Sequence, residues 1–221
     1  VFAIEELGKR FEEKTNGVLI SAIVLAGLIS ISLQGNYTYF GRLAIASVDY
    51  RILGPVLVCA LVCGVAGGLF SRLLVTGARP GQDRLGRLRI AHPCLWGGFC
   101  GLMIALLGLV SEGAAHGSGY LPAQEALAGQ WAMPWYYAPV KFAATVFSFL
   151  SGIPGGIFAP SLAIGVGIGA DLQPFMAGTH SVTLYALCMA GFLAAVTQSP
   201  LTAFIIVMEM IDGHEMVISL M

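Results

Sequence analysis

A run of 29 residues without a charged side chain, from Phe142 to Ala170, most constrains what this chain can fold into. An apolar run of that length is typical of a membrane-spanning segment. Near its middle, the segment Ser-Gly-Ile-Pro-Gly-Gly at 151–156 contains the residue types that interrupt helices. The pieces on either side, about 141–150 and 157–170, are each too short to cross a hydrocarbon core of about 30 Å. The pattern therefore predicts two helical pieces that meet within the membrane.

The chemistry of this interruption favours an anion site. Gly155 and Gly156 have no Cβ, so an ion can approach the backbone closely. Ile157 and Phe158 begin the second piece, and the start of a helix offers N–H groups and a positive dipole end to anions. No cationic side chain lies between 142 and 170, so backbone dipoles would carry the binding. The alternative is a helix–loop–helix corner that only packs.

The composition indicates an integral membrane protein. Of the 221 residues, 57% are hydrophobic and 10% are charged, and the mean hydropathy is +0.83. A net charge of −1 in so apolar a chain argues against a nucleic-acid partner. The five cysteines form no Cys-x-x-Cys pair and have no clustered histidines, so we expect core residues rather than metal ligands. We expect no metal and no cofactor.

Enzyme signatures fail on spacing. His214-Glu215 lacks the second histidine of a zinc-protease helix, and Gly117-Ser118-Gly119 lacks the frame of a nucleophile elbow. No glycine-rich phosphate loop follows a strand pattern. We therefore expect a protein that is not an enzyme.

Other apolar segments predict further helices. After a turn at Asn16-Gly17, residues 18–33 form an apolar helix, and 53–75 and 94–110 are continuous spans. A second interrupted element follows, with apolar pieces at 182–196 and 201–208. Pro200 suits the first turn of the latter piece. Two glycine sets predict close helix packing: Gly64, Gly67 and Gly68, then Gly165, Gly167 and Gly169.

Charged and aromatic residues predict the topology. Five arginines surround one connection: Arg72, Arg79, Arg84, Arg87 and Arg89. Their excess places that connection in the cytoplasm, and by alternation 111–130 lies outside with a short helix. Four aromatic residues then predict an interfacial belt: Trp131, Trp135, Tyr136 and Tyr137. Lys141 either raises the positive potential near an anion path or snorkels to the interface.

Three segments resemble the CLC chloride channel and transporter family. Ser-Gly-Ile-Pro-Gly-Gly-Ile-Phe-Ala-Pro-Ser-Leu-Ala-Ile-Gly at 151–165 is similar to its anion-filter signature, G-x-F-x-P. Gly-Phe-Leu-Ala-Ala-Val-Thr-Gln-Ser-Pro-Leu-Thr-Ala at 191–203 resembles a late family segment, and Phe-Ala-Ile-Glu-Glu-Leu at 2–7 resembles a helix end. The resemblance implies an all-α membrane fold with broken and re-entrant helices and part of an inverted repeat.

The resemblance also implies chloride transport, most directly as exchange for protons. It places chloride on the backbone N–H groups of Ile157 and Phe158, and it assigns the filter motif to Gly155, Gly156, Ala159 and Pro160. It assigns internal proton transfer to Glu6, because the second glutamate of a Glu-Glu pair has that role in proton-coupled members. Glu209 is interpreted as structural.

The resemblance makes the chain, 1–221, a partial transmembrane domain with no soluble domain. The start without Met, and the likeness of 1–7 to 203–210, indicate the second half of a longer protein. The family's filter serine and external gating glutamate would precede Val1, and its pore tyrosine would follow Met221. A homodimer in the lipid bilayer is implied, with an interface that includes 18–33 and 201–221. The membrane would be the inner cell membrane in a bacterium.

Three alternatives stay open. The first is a passive voltage-gated chloride channel of the same fold, which Glu6 would discriminate from an exchanger. The second is a membrane scaffold or receptor that transports nothing. A fluoride-selective relative ranks below these.

Overall fold

The computed structural model of the chain describes residues 13–35, 39–41, 52–78, 84–176 and 179–211. Within these ranges the chain forms nine α-helices and no strand, which confirms the predicted all-α class. The helices are α1 Glu13–Gln34, α2 Leu53–Ala78, α3 Arg84–Ala91, α4 Pro93–Val110, α5 Tyr120–Leu127, α6 Tyr137–Leu150, α7 Phe158–Leu172, α8 Ser181–Thr197 and α9 Pro200–Ile211.

Two helices are long and apolar enough to cross a membrane. They are Leu53–Gly77 in α2, with 25 residues, and Pro93–Val110 in α4, with 18 residues. Both match the predicted spans to within a few residues. Apolar side chains on them are exposed, such as Leu61 and Leu109, as expected for helices that face lipid or another protein surface.

Helix α1 contradicts one prediction. It begins at Glu13 and runs through Asn16-Gly17, where the sequence predicted a turn. A glycine inside a helix costs only about 1 kcal/mol relative to alanine. Interrupting the helix next to an apolar segment would leave backbone groups without hydrogen-bond partners, which costs several kcal/mol each in lipid. The continuous helix is therefore the better arrangement.

Helix α8 lies between α2 and α7 and forms the centre of the molecule. Its residues from Thr183 to Ala190 are all buried. Toward α2, the Cys63 thiol donates to the carbonyl of Cys188 at 3.5 Å, and Phe70 packs on Phe192 with ring centroids 5.7 Å apart. The buried core therefore lies on both the α2 side and the α7 side of α8.

The glycines of α7 allow its neighbours to approach closely. A Cβ added at Gly165 would lie 2.6 Å from Cα of Met189, and one at Gly169 would lie 3.0 Å from Cα of Tyr185. Both partners belong to α8. At Gly167 an added Cβ would instead meet α6 at 3.0 Å. This confirms the predicted close packing of α7 on more than one side.

The glycines of α2 fit the prediction less fully. A Cβ at Gly67 would lie 2.6 Å from Cβ of Ala195, so this position does bring α2 and α8 together. Gly64 and Gly68 face open space among the described residues. Since successive residues of a helix point in different directions, Gly68 faces away from α8 although Gly67 faces it.

Candidate anion site

The predicted interruption is present between α6 and α7. Helix α6 ends at Leu150 and α7 begins at Phe158, which confirms two short helical pieces. Residues 151–157 connect them without helical structure, and we name them the filter loop. Gly152 has a φ of +82°, in the left-handed region that glycine tolerates and side-chain-bearing residues avoid.

The start of the filter loop is bonded to the last turn of α6. The N–H of Ser151 donates to the carbonyl of Phe147 at 3.0 Å, and that of Gly152 donates to Phe149 at 3.2 Å. The N–H of Ile153 then donates to the Ser151 hydroxyl oxygen at 3.3 Å. The loop therefore leaves α6 along a defined path.

The end of the filter loop is bonded to the first turn of α7. The carbonyl of Ile157 accepts from both the N–H and the hydroxyl of Ser161, at 3.0 Å and 2.6 Å. Pro160 lies in the first turn, where a proline fits because a helix start needs no N–H there. The positive dipole end of a 15-residue helix therefore points into the filter loop.

A cavity of about 480 Å³ lies against this helix start. The filter loop and α7 contribute these lining residues: Ile153, Gly155, Gly156, Ile157, Ala159 and Pro160. A Cβ added at Gly155 or Gly156 would meet no described atom within 4 Å, and both glycines are exposed. The backbone at the two glycines is therefore accessible from the cavity.

Lys141 contributes a buried positive charge to the same cavity. It lies on α6, is only 2% exposed, and lines the cavity wall. Its Nζ donates to the carbonyls of Ala115 and Gly117, at 2.8 Å and 2.7 Å. A snorkelling lysine would extend into water, so the second of its two sequence interpretations is wrong. A fully buried ammonium beside a helix N-terminus makes this cavity favourable for an anion.

The connection before α5 also lines the cavity. His116, Gly117 and Ser118 line the cavity, and the short helix α5 follows as the sequence predicted. At Gly119, φ is +83° and an added Cβ would lie 2.5 Å from Cβ of Ala163. The connection is therefore packed on α7, and Lys141 bonds it to α6.

The predicted aromatic belt is partly wrong. Trp135 is 79% exposed, as a belt residue would be, but Tyr137 is fully buried. Its ring packs edge-on against Trp131, with centroids 5.9 Å apart. Tyr137 is the first residue of α6, and the close approach of α7 at Gly167 turns it into the core.

Two residues at the site were missed by sequence reasoning. Trp96 Nε1 donates to the carbonyl of Leu150 at 2.8 Å, and Arg89 Nη1 donates to the carbonyl of Gly77 at 2.8 Å. In the sequence, Arg89 indicates only the topology, as one of five arginines around one connection. No local pattern connects either residue with a loop more than 50 positions later.

The structure brings all six predicted filter residues together at one cavity or at its helix start. Phe158 is the first residue of α7, and the other five line the cavity. Glu6, the predicted proton-transfer residue, lies outside the described residues. Among the described residues, no group of three or more His, Cys, Asp or Glu could hold a metal ion.

Known proteins match this chain over most or all of its length. The family profile described as "Voltage gated chloride channel" matches residues 1–221. The "H(+)/Cl(-) exchange transporter ClcA" of Cronobacter sakazakii (strain ATCC BAA-894) is 27% identical over 239 residues, covering 99% of this chain and 48% of that protein. The crystal structure of a CLC-type fluoride/proton antiporter matches with a TM-score of 0.71 and 26% identity, over 82% of this chain and 45% of that one.

The chain spans about half the length of these relatives. The two helices of this chain that are long enough to cross a membrane agree with relatives that are membrane transport proteins. With a family profile that covers every residue, the chain belongs to the voltage-gated chloride channel (CLC) family of integral membrane transport proteins.

Proposed function

We propose that this chain supplies one wall of the anion pathway in a membrane protein that exchanges chloride for protons. The observation that carries the proposal is the cavity at the start of α7, which joins Gly155, Gly156 and Ile157 to the buried Lys141. A relative 27% identical is named a proton/chloride exchange transporter. The chain, 1–221, is then part of a transmembrane domain rather than a complete pathway.

Chloride would bind at the filter loop on the backbone N–H groups of Ile157 and Phe158. The dipole of α7 contributes positive potential at that point, and Lys141 adds a full charge in the cavity wall. Dipoles and one cation already bonded to two carbonyls stabilise an anion without trapping it in an ion pair. Such a site binds strongly enough to select an anion and weakly enough to release it.

Glu6 would transfer protons between the cytoplasm and the pathway. Its position in the Glu-Glu pair at 5–6 is the basis, since a carboxylate at a membrane boundary can bind and release protons. A passive channel of the same fold would need no such residue. An exchanger and a passive channel can therefore be distinguished by whether protons move together with chloride.

The oligomer and location follow from the same proposal. A homodimer in the lipid bilayer would use 18–33 and 201–221 at its interface. The described side chains of α1, from Ser21 to Leu33, are exposed throughout, as expected for a helix covered by a partner or by lipid. The protein would be multi-pass, and in a bacterium would lie in the inner cell membrane.

Fluoride is a second candidate for the transported anion. It is favoured by the structural match to a CLC-type fluoride/proton antiporter. Both halides can accept backbone N–H bonds, and they differ in radius and in hydration. The test must therefore measure both.

The test uses the protein at its complete natural length in proteoliposomes. A halide gradient is imposed, halide flux is followed with an ion electrode, and external pH is recorded, with Glu6→Ala as the variant. Exchange predicts proton movement against its gradient that is lost in Glu6→Ala while chloride still flows. Chloride flux without proton movement in either protein would identify a channel, and no flux with no anion binding would identify a scaffold. Fluoride flux in preference to chloride would identify a fluoride transporter.

A further inference from the structure

We propose that Arg89 and Trp96 are positioning residues that hold the carboxyl end of α6 and so set the geometry of the filter loop. The expected effect on halide selectivity rests on the proposed function, whereas the effect on the loop geometry does not. Neither residue lines the cavity, so each would act through the loop rather than on the ion.

The carboxyl ends of α2 and α6 meet next to the start of the filter loop. The side chain of Leu150, the last residue of α6, lies against Gly77 near the end of α2, so that a Cβ at Gly77 would displace it. The last carbonyls of a helix carry partial negative charge and need hydrogen-bond donors from outside the helix. Two such ends in contact repel each other unless a positive group lies between them.

Arg89 supplies that positive group. Its Nη1 donates to the carbonyl of Gly77 at 2.8 Å. Its Nη2 would lie 3.3 Å from a Cβ built on Gly152, the second residue of the filter loop. One planar guanidinium therefore contacts the end of α2 and the beginning of the loop, which a compact ammonium could not match.

Trp96 fixes the adjacent carbonyl. Its Nε1 donates to the carbonyl of Leu150 at 2.8 Å, immediately before the filter loop begins. Trp96 lies in the first turn of α4, which follows α3 after a single residue, His92. The two side chains therefore come from one α3–α4 unit. Trp96 donates to the last residue of α6, and the Arg89 guanidinium lies beside Gly152, two residues later.

These donors matter because the middle of the loop has little other support. Gly155 and Gly156 have no described neighbour within 4 Å of a Cβ position, so the loop is held from its two ends. At α7 the support is the close packing of Gly165 on α8. At α6 it is Trp96, bonded to Leu150, together with Arg89, which links the end of α2 to the position of Gly152. A shift of even about 1 Å in positioned groups can change rates by about 100-fold.

The test uses two conservative variants with matched controls. Trp96→Phe removes the indole donor and keeps an aromatic ring, and Arg89→Lys keeps the charge and removes the planar fork. Trp135→Phe and Arg72→Lys make the same changes at exposed positions. Fluoride, chloride and bromide fluxes of the complete protein are compared in proteoliposomes, since these halides differ in radius. We expect the bromide-to-chloride flux ratio to change by about threefold or more in the two variants and to stay constant in the controls.

Amide hydrogen exchange of the same four variants gives a readout that does not depend on transport. The N–H groups of Ser151 and Gly152, bonded to the end of α6, should exchange at least about tenfold faster in Trp96→Phe and Arg89→Lys. A role in folding alone would lower the yield but leave the halide ratio and the loop exchange of the folded fraction unchanged. That outcome in both variants overturns the proposal.

The two proposals fail in different ways. If the unsubstituted protein moves no halide, the proposed function is wrong, and the exchange rates still decide whether Arg89 and Trp96 hold the loop. If the protein transports chloride but loop exchange is the same in all four variants, the positioning inference alone is wrong.

Discussion

The chain contains two interruptions between short apolar helices, and the two differ in how accessible their backbone is. The filter loop, 151–157, separates α6 from α7, and a corner at Gln198-Ser199 separates α8 from α9. Each is associated with proline at a place where helices tolerate it, Pro160 and Pro200 respectively, in the first turn of the following helix. From the sequence, the two look alike.

The corner between α8 and α9 is closed. Gln198 bonds back to the carbonyl of Ala195 at 2.7 Å, and the Thr197 hydroxyl bonds to Leu193 at 2.8 Å. Ser199 is 5% exposed, and its hydroxyl donates to the carbonyl of Thr197 at 3.3 Å. These side chains are bonded within the turn, so the corner connects two packed helices by its own hydrogen bonds.

The filter loop is open by contrast. Residues 152–156 are all exposed, and two glycines face a cavity with a buried lysine in its wall. The difference teaches that proline marks where the next helix starts in both interruptions, whereas the paired Gly155 and Gly156 mark the one whose backbone remains accessible. From the sequence, a helix–loop–helix corner that only packs is the alternative for the interruption at 151–156. That description fits the corner at Gln198-Ser199 instead.

The largest effect should follow from Gly165→Val, which breaks the packing between the two interruptions. An added Cβ would meet backbone atoms of Met189 and Cys188 at 2.6 Å and 2.8 Å, which cannot move aside as a side chain can. We expect destabilisation by about 3 kcal/mol or more, measured as thermal unfolding in detergent. Gly101→Ala, at a helical glycine with open space around it, should be neutral. A stable Gly165→Val protein would contradict the described contact of α7 with α8.

The next largest effect tests the open interruption itself. Gly156→Leu should keep the fold, with a change in stability below about 1 kcal/mol, because the added atoms enter empty space. The side chain would occupy the part of the cavity next to the filter-loop backbone, so chloride flux per folded protein should fall at least about tenfold. Gly98→Leu, on the open side of α4, is the matched control and should transport normally. Normal flux in Gly156→Leu would place the anion path elsewhere.

A smaller effect is expected from the charge in the cavity. Lys141→Met removes the ammonium and leaves the carbonyls of Ala115 and Gly117 without their donor. The half-saturating chloride concentration should rise about fivefold, which corresponds to about 1 kcal/mol of binding free energy. Lys141→Arg should retain most of the affinity because it keeps the charge. Equal chloride affinity in all three proteins would show that Lys141 is structural.

The smallest effect belongs to the closed corner. Gln198 has a φ of +61°, and a β-branched residue in that conformation is strained. Gln198→Val should lower the free energy of unfolding by about 1–2 kcal/mol without changing chloride flux per folded protein. Gln198→Gly, which tolerates a positive φ, serves as the control and should stay close to the unsubstituted protein. If Gln198→Val changed chloride flux and left the stability unchanged, the corner at Gln198-Ser199 would also affect transport, and the contrast with the filter loop would be wrong.

Features with a local cause could be predicted from the sequence. The end of α6, the start of α7 and the two spans at 53–75 and 94–110 follow from apolar length and from helix-breaking residues. The filter residues were found because their pattern is contiguous. The close packing at Gly165 and Gly169 was also expected, since regularly spaced glycines in a membrane helix usually mark a surface that a neighbouring backbone approaches closely.

Features that depend on distant partners could not be predicted. Lys141 is buried because carbonyls at 115 and 117 fold back onto it, and nothing near position 141 indicates them. Trp96 is similar, since its acceptor is 54 positions away. At Asn16-Gly17 the local turn preference was real, but helix continuity outweighed it.

The packing of α7 on α8 has a consequence for the proposed transport. Gly165 and Gly169 are one helical turn apart, and both touch the backbone of the same neighbour. Turning α7 about its axis would bring Val166 or Ile168 to that surface, and their Cβ atoms would not fit. Rotation of α7 against α8 is therefore opposed by backbone contacts. We expect opening and closing of the pathway to be accomplished by side chains and loop segments around a stationary α7.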